Sequence, residues 1–318
     1  LLLLTGLVIA WKLPQKEDRY IHVGIAVYDR SDTFMESYIR ELEDKIGQTR
    51  ILGKKVSYEI YDAEGIGSRQ EKQLQEMYAQ DYDVMLVNLV EPASAASVLT
   101  DAKDADIPVI LFNREIDEKD LKISKNVWYV GTDARAAGVM QGKLLKDLWK
   151  KQSRILDWNG NGMLDYVLVE GEESHFDAIR RTSGFLETGA ELPLNQKGNI
   201  LAEWKRELAY EKFAALDDEA VQNVEAVICN NDDMALGVYD YYKEKNLKLP
   251  VIIGINNSEE MHQKIMSGEM YGTIDNKMED QVMEICRLMQ AILKKDTGSY
   301  QKVWYSTPKA IVKAEGTE

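Results

Sequence analysis

At 318 residues with 45% hydrophobic content, the chain is expected to bury a large core and to divide into two lobes, which excludes a disordered protein. Its net charge of −15, with no basic stripe, opposes association with a phosphate backbone and excludes nucleic acid as a partner.

In chain order, residues 1–11 come first and are almost wholly apolar, followed by the polar segment 12–19. Such a run is too short to cross a bilayer, which takes about 20 apolar residues, and it suits a signal-peptide core or the end of a membrane anchor. Residues 1–19 are therefore set apart as a signal-peptide remnant or anchor with its linker.

From residue 21 onward, short apolar runs alternate with helical patterns. Strands are expected at 21–28, 56–61, 84–90 and 109–112, with helices at 33–46, 68–80 and 94–105. A second series has strands at 127–130, 166–170, 199–204, 226–229 and 251–255, and helices at 135–150, 177–188, 209–216, 234–245 and 259–267. This alternation is the pattern of βαβ units on parallel sheets, one sheet per lobe, with helices on both faces. Cys229 and Cys286 lie in apolar surroundings far apart in sequence and read as buried free thiols.

Between the helix at 135–150 and the strand at 166–170 lies Asp157-Trp158-Asn159-Gly160-Asn161-Gly162-Met163-Leu164-Asp165, which has the spacing of a calcium loop. Side-chain oxygens fall at positions 1, 3, 5 and 9 on Asp157, Asn159, Asn161 and Asp165, and Met163 offers its carbonyl at position 7. Position 12 is Leu168, inside a strand, so a carboxylate from elsewhere must complete the ligand set.

Ligands of open parallel sheets bind outside the carboxyl ends of the strands. Here those ends carry Asp32, Phe34, Asn88, Asn113-Arg114-Glu115, His175, Asp177, Trp204, Asn230-Asn231-Asp232 and Asn256-Asn257. Carboxylates, amides and a guanidinium match the hydroxyls of a sugar, and aromatic faces match its C–H faces. Asp32 and Asp177 are the acids to suspect in a glycosidase, but no spacing distinguishes them from ordinary loop acids, and GxGxxG, P-loop, GxSxG and HExxH motifs are absent. No enzyme is expected.

Several ordered motifs resemble one family. They are Asp32-Thr33-Phe34-Met35, Asn88-Leu89-Val90-Glu91-Pro92, Phe112-Asn113-Arg114-Glu115, Tyr129-Val130-Gly131-Thr132-Asp133, the calcium loop, residues 171–182, Asn230-Asn231-Asp232-Asp233-Met234-Ala235 and Gly272-Thr273-Ile274. From residue 21 to 313 the chain is similar to the periplasmic galactose/glucose-binding proteins of ABC sugar transporters, within the ribose-type, or type I, periplasmic binding proteins. The resemblance implies that Phe34 and Trp204 stack on the two sugar faces. It implies that Asp32, Asn88, His175, Asp177, Arg181, Asn231 and Asn276 hydrogen-bond the sugar, and that Asn256 stands where the family has a sugar-binding Asp. Glu225 is then the distant carboxylate that closes a structural Ca²⁺ site with Asp157, Asn159, Asn161, Met163 and Asp165.

The resemblance also implies an N-terminal lobe of residues 20–113 and 276–302 and a calcium-binding C-terminal lobe of 114–275 and 303–318, joined by a hinge of three crossings near Asn113, Asp275 and Val303. The implied function is that of a monomeric extracytoplasmic protein that delivers galactose or glucose to an ABC permease. The alternative is a membrane-anchored sensor that presents sugar to a chemoreceptor or histidine kinase.

Overall fold

Runs of β-branched and aliphatic residues become strands because a sheet covered on both faces hides every side chain. Val84–Val87, Val109–Phe112 and Ala226–Cys229 are buried at each position. A computed structural model describes residues 20–216 and 218–313, so the segment 1–19, expected to be a signal-peptide remnant or anchor with its linker, and residues 314–318 lie outside the described residues.

The elements are β1 Tyr20–Val27, α1 Thr33–Gln48, β2 Arg50–Ile51, β3 Lys54–Asp62, α2 Gly67–Tyr78, β4 Val84–Val87, α3 Ala95–Asp104, β5 Val109–Phe112 and β6 Val127–Thr132. They continue with α4 Ala134–Leu156, β7 Leu164–Glu170, α5 Phe176–Gly189, β8 Leu194–Leu201, α6 Arg206–Ala214, α7 Asp218–Asn223, β9 Ala226–Cys229 and α8 Asp232–Glu244. The last are β10 Val251–Ile255, α9 Glu259–Ser267, β11 Gly272–Asp275, α10 Met278–Leu293, β12 Val303–Ser306 and β13 Lys309–Val312.

A seven-stranded sheet runs β12-β6-β5-β4-β1-β3-β2, and a six-stranded sheet runs β13-β11-β10-β9-β7-β8. Pairing is parallel except at the edges, where β2 meets β3 and β11 meets β13 in antiparallel fashion. Each sheet is sandwiched. In the first, α1 and α10 cover one face with Met35, Ile39, Leu42, Val282, Ile285 and Met289. The opposite face carries Leu74, Met77, Val98 and Leu99 from α2 and α3. In the second, Ala209, Phe213, Met234, Leu236 and Met261 from α6, α8 and α9 pack on one side, and Leu145, Leu148 and Phe185 from α4 and α5 on the other. The two-lobed α/β architecture is the one expected.

The lobe boundaries differ from expectation. β6 pairs with β5, and β12 pairs with β6, so both belong to the first sheet, and residues 114–132 stay in the first lobe instead of opening the second. The chain first crosses between Thr132 and Asp133, where α4 begins and packs on the second sheet. It returns at Asn276, and it crosses a third time between Ser306 and Lys309, not at Val303. Apolar patterning locates strands but says nothing of which neighbour they pair with, and β6 follows β5 with no helix of comparable length between them.

β8 also differs, ending at Leu201 and not at Trp204. Glu203 and Trp204 have φ of 50° and 67°, which an extended strand does not allow, and this turn carries the indole to the rim.

Candidate functional site

The helices after the strands start on residues that cap them, and several of those caps are rim residues. Asp32 Oδ1 accepts from Met35 N at 2.8 Å, His175 Nδ1 from Asp177 N at 3.1 Å, and Asn231 Oδ1 from Met234 N at 2.9 Å. A capping side chain has one polar atom fixed by the helix and presents what remains beyond the strand ends. This local rule places three of the expected sugar-binding residues.

One cavity between the lobes is lined by Tyr28, Asp32, Phe34, Asn113 and Arg114 from the first lobe and His175, Asp177, Arg181, Trp204, Asn231 and Asn256 from the second. Asn276, at the second crossing, reaches it by donating from Nδ2 to Asn256 Oδ1 at 2.8 Å. Nine of the ten residues expected to bind sugar thus gather here, eight of them in the cavity wall and Asn276 beside it. Asn88 is the exception. It is wholly buried, and its amide is spent on Tyr28 N, Phe112 O and Asn113 Oδ1. Its backbone still bonds to Ala26 O, so the pleat turns the side chain inward, and Asn88 fixes Asn113 instead of lining the cavity.

Tyr28, Asn113 and Arg114 line the site without having been assigned a role from sequence. Asn113 has φ of 63°, the left-handed conformation that Asn tolerates at a strand end, and the Asn-Arg pair directly after β5 was the available signal.

Trp204 stands edge-on to His175, with ring centroids 5.2 Å apart, and the Arg181 guanidinium lies 5.5 Å from its ring. Gly171 makes room for it, since a Cβ there would come within 2.3 Å of the indole. Phe34 packs at 5.9 Å on Tyr38, which stacks on Phe112. Asn231 has its Nδ2 on the Trp204 carbonyl at 2.9 Å, so both ends of its amide already have partners and it holds Trp204 as much as it faces the cavity.

Burial governs the charges. It pulls the His175 imidazole down to about 2, helped by the Arg114 and Arg181 charges, so the ring is neutral. Asp177 is pushed up by burial and held back by Arg181, while the Arg181 guanidinium itself is lowered by burial. With Nδ1 accepting a backbone N–H, His175 carries its proton on Nε2 and is a donor there. His175 Nε2, Arg181 Nε and Asn276 Oδ1 are buried with no partner. Unsatisfied buried polar atoms cost about 1–3 kcal/mol each, so these two donors and one acceptor call for a ligand that supplies both acceptors and a donor.

The calcium-like loop follows α4. Asp157 accepts from Asn161 N and Gly162 N, Asn159 Oδ1 from Asn161 N, and Asn161 Oδ1 from Met163 N, which bends the loop with Gly160 and Gly162 at φ of 71° and 77°. Asp165 Oδ2 accepts from the amides of Asn159 and Asn161 at 3.0 and 3.2 Å, and Glu225 accepts from Trp158, Asn159 and Asp165 backbone N–H groups. The oxygen-only set suits a hard cation in kind. Among the described residues, however, no three His, Cys, Asp or Glu side chains are placed to hold a metal, and Lys197 Nζ lies 3.4 Å from Asp165 Oδ2.

Residues 23–297 match the family model described as "Periplasmic binding protein domain". The chain is 30% identical over 290 residues to the D-galactose/methyl-galactoside binding periplasmic protein MglB of Haemophilus influenzae, covering 89% of this chain and 84% of that protein. Among solved structures, a periplasmic solute binding protein from Actinobacillus succinogenes 130z with bound D-allose superposes with a TM-score of 0.79 at 19% identity, covering 92% of this chain and 97% of that one. The Caulobacter myo-inositol binding protein gives 0.77 at 23% identity, covering 92% and 94%. This chain belongs to the periplasmic binding protein family, among the ribose- and galactose-type sugar-binding members, which are solute binders and not enzymes.

Proposed function

We propose that the chain is an extracytoplasmic binding protein that closes its lobes over one monosaccharide of galactose or glucose type and delivers it to an ABC permease. The observation that carries this reading is the set of unpartnered buried atoms, His175 Nε2, Arg181 Nε and Asn276 Oδ1, around a cavity walled by Phe34 and Trp204. A pyranose offers ring and hydroxyl oxygens to the donors, hydroxyl protons to the amide, and two C–H faces to the aromatic rings. The likeness to the galactose-binding protein of Haemophilus influenzae supports galactose as the sugar, and the family supports the placement outside the cytoplasm.

The proposal extends to Ca²⁺ in the loop. Asp157, Asn159, Asn161, the Met163 carbonyl, Asp165 and Glu225 would hold it, with Lys197 giving up its place beside Asp165. The ion would neutralise charge and tie the loop to β9, a structural role remote from the sugar cavity.

Calorimetric titration with glucose, galactose, ribose and xylose tests the sugar reading. Saturable binding of galactose or glucose below millimolar concentration is expected. Absence of binding by all four sugars would refute it.

A further inference from the structure

Arg114 follows β5 and is anchored in the first lobe. Its guanidinium carbon lies 3.7 Å from the centre of the Tyr28 ring, and its Nη1 donates to the Val90 carbonyl. Its Nη2 spans the cleft and donates to Glu172 Oε1 of the second lobe at 3.0 Å. That same oxygen accepts the Trp204 indole N–H at 3.1 Å. A single carboxylate oxygen therefore takes one donor that depends on the lobes being together and one that depends on the orientation of the stacking ring.

The environments of the two partners are unequal. The Arg114 side chain is 6% exposed and that of Glu172 is 40% exposed. A nearly buried guanidinium needs its charged partner, so moving the lobes apart forces Arg114 to exchange Glu172 for water before the sugar can leave. The indole is confined from other sides as well, by the Asn231 amide on the Trp204 carbonyl and by the space that Gly171 leaves open.

We propose that Arg114 and Glu172 form a latch across the mouth of the cleft, positioning residues that hold the lobes shut and fix the Trp204 ring against the bound sugar, and so set the rate of release. The latch deepens the sugar-binding reading and rests on it. Glu172 does not line the cavity, which separates its part from that of the residues in the cavity wall. Loss of a charge-assisted hydrogen bond corresponds to about 10- to 100-fold in an equilibrium constant.

The test is stopped-flow release of galactose or glucose from wild type, Glu172→Gln, Glu172→Ala, Arg114→Met and the Arg114→Met/Glu172→Ala double variant. Glu172→Ala is expected to release sugar about 10- to 100-fold faster with little change in association. Glu172→Gln should fall between, because its amide oxygen still accepts the indole N–H. The double variant should be no faster than the quicker of the two single variants, as the two side chains form one contact. A wild-type release rate in Glu172→Ala, or additive effects in the double variant, overturns the latch. Should wild type bind none of the sugars, the functional reading fails by itself, and the latch is tested in the sugar-free protein by small-angle scattering. There Glu172→Ala and Arg114→Met should each enlarge the radius of gyration, and unchanged radii overturn the proposal.

Discussion

The hydroxyls of Thr132 and Ser306 lie 2.9 Å apart although 174 positions separate them in sequence. Each ends a first-lobe strand at a crossing, and both contact the carbonyl of Asn276, the residue at the remaining crossing, at 2.9 and 2.7 Å. Gln281 Nε2 joins them, 2.8 Å from the Asn276 carbonyl and 2.7 Å from Thr132 Oγ1. The three crossings are thereby tied into one buried knot, and the side chain of the same Asn276 reaches Asn256 at the sugar cavity.

Removing the amide from this knot should be costly. Gln281→Leu keeps the approximate bulk but takes the amide donor away from the buried hydroxyl oxygens of Thr132 and Ser306, so a loss of about 1–3 kcal/mol is expected in urea denaturation. A change under about 0.5 kcal/mol would show that the knot does not hold the crossings.

Gly171→Ala should displace the Trp204 ring, because the added carbon would lie 2.3 Å from the indole. Sugar affinity is expected to fall at least about tenfold in calorimetry, since stacking and ring orientation are lost together. An unchanged dissociation constant would mean that the indole does not cover the sugar.

Asn256→Asp keeps an oxygen for the Asn276 amide and adds a charged acceptor at the cavity wall. Charge-assisted hydrogen bonds are worth about 1.5–3 kcal/mol, so glucose or galactose should bind about 10- to 100-fold more tightly. Weaker binding in the variant would show that the native ligand needs the amide's N–H at this position.

The neutral His175 links stability to pH. Burial lowers its folded value to about 2, while the unfolded chain protonates near the ordinary value of about 6.5. The unfolded state binds more protons below that value, so this contribution is fully present above it and is lost as pH falls, by up to ~1.4 kcal/mol per unit. Asp232 works in the opposite direction, because burial pushes it up to about 7 and acid then relieves its charge. The comparison is therefore between wild type and His175→Asn, which should lose less stability than wild type on going from pH 7 to 5 in urea denaturation. Parallel losses would show that His175 is not held neutral.

For the loop, chelation of Ca²⁺ with EDTA is expected to lower the melting temperature by several degrees, by mass action on the folded state. Glu225→Gln should be insensitive to EDTA. An unchanged wild-type melting temperature would sink the calcium reading.

Much of the fold was legible because local rules suffice for it. β10 and α9 lie where periodicity placed them, and Asp32, His175 and Asn231 were found at strand ends because a strand followed by a helix puts a capping residue there. Asn88 and Asn113 show where such rules stop. Both follow short buried strands, yet one amide turns inward to bond three partners and the other turns to the cavity, a choice made by the pleat and by the φ of 63° at Asn113.

The sequence by itself determined the alternation of strands and helices, the spacing of the 157–165 loop and the chemistry available at the rim, because each depends on neighbours within a few residues. Only the tertiary structure decided that β6 and β12 join the first sheet, that the crossings meet at Asn276, and that Arg114, Glu172 and Trp204 share one oxygen. These are contacts between segments distant in the chain. Their partners are chosen by sheet pairing and lobe closure, and no local periodicity encodes either.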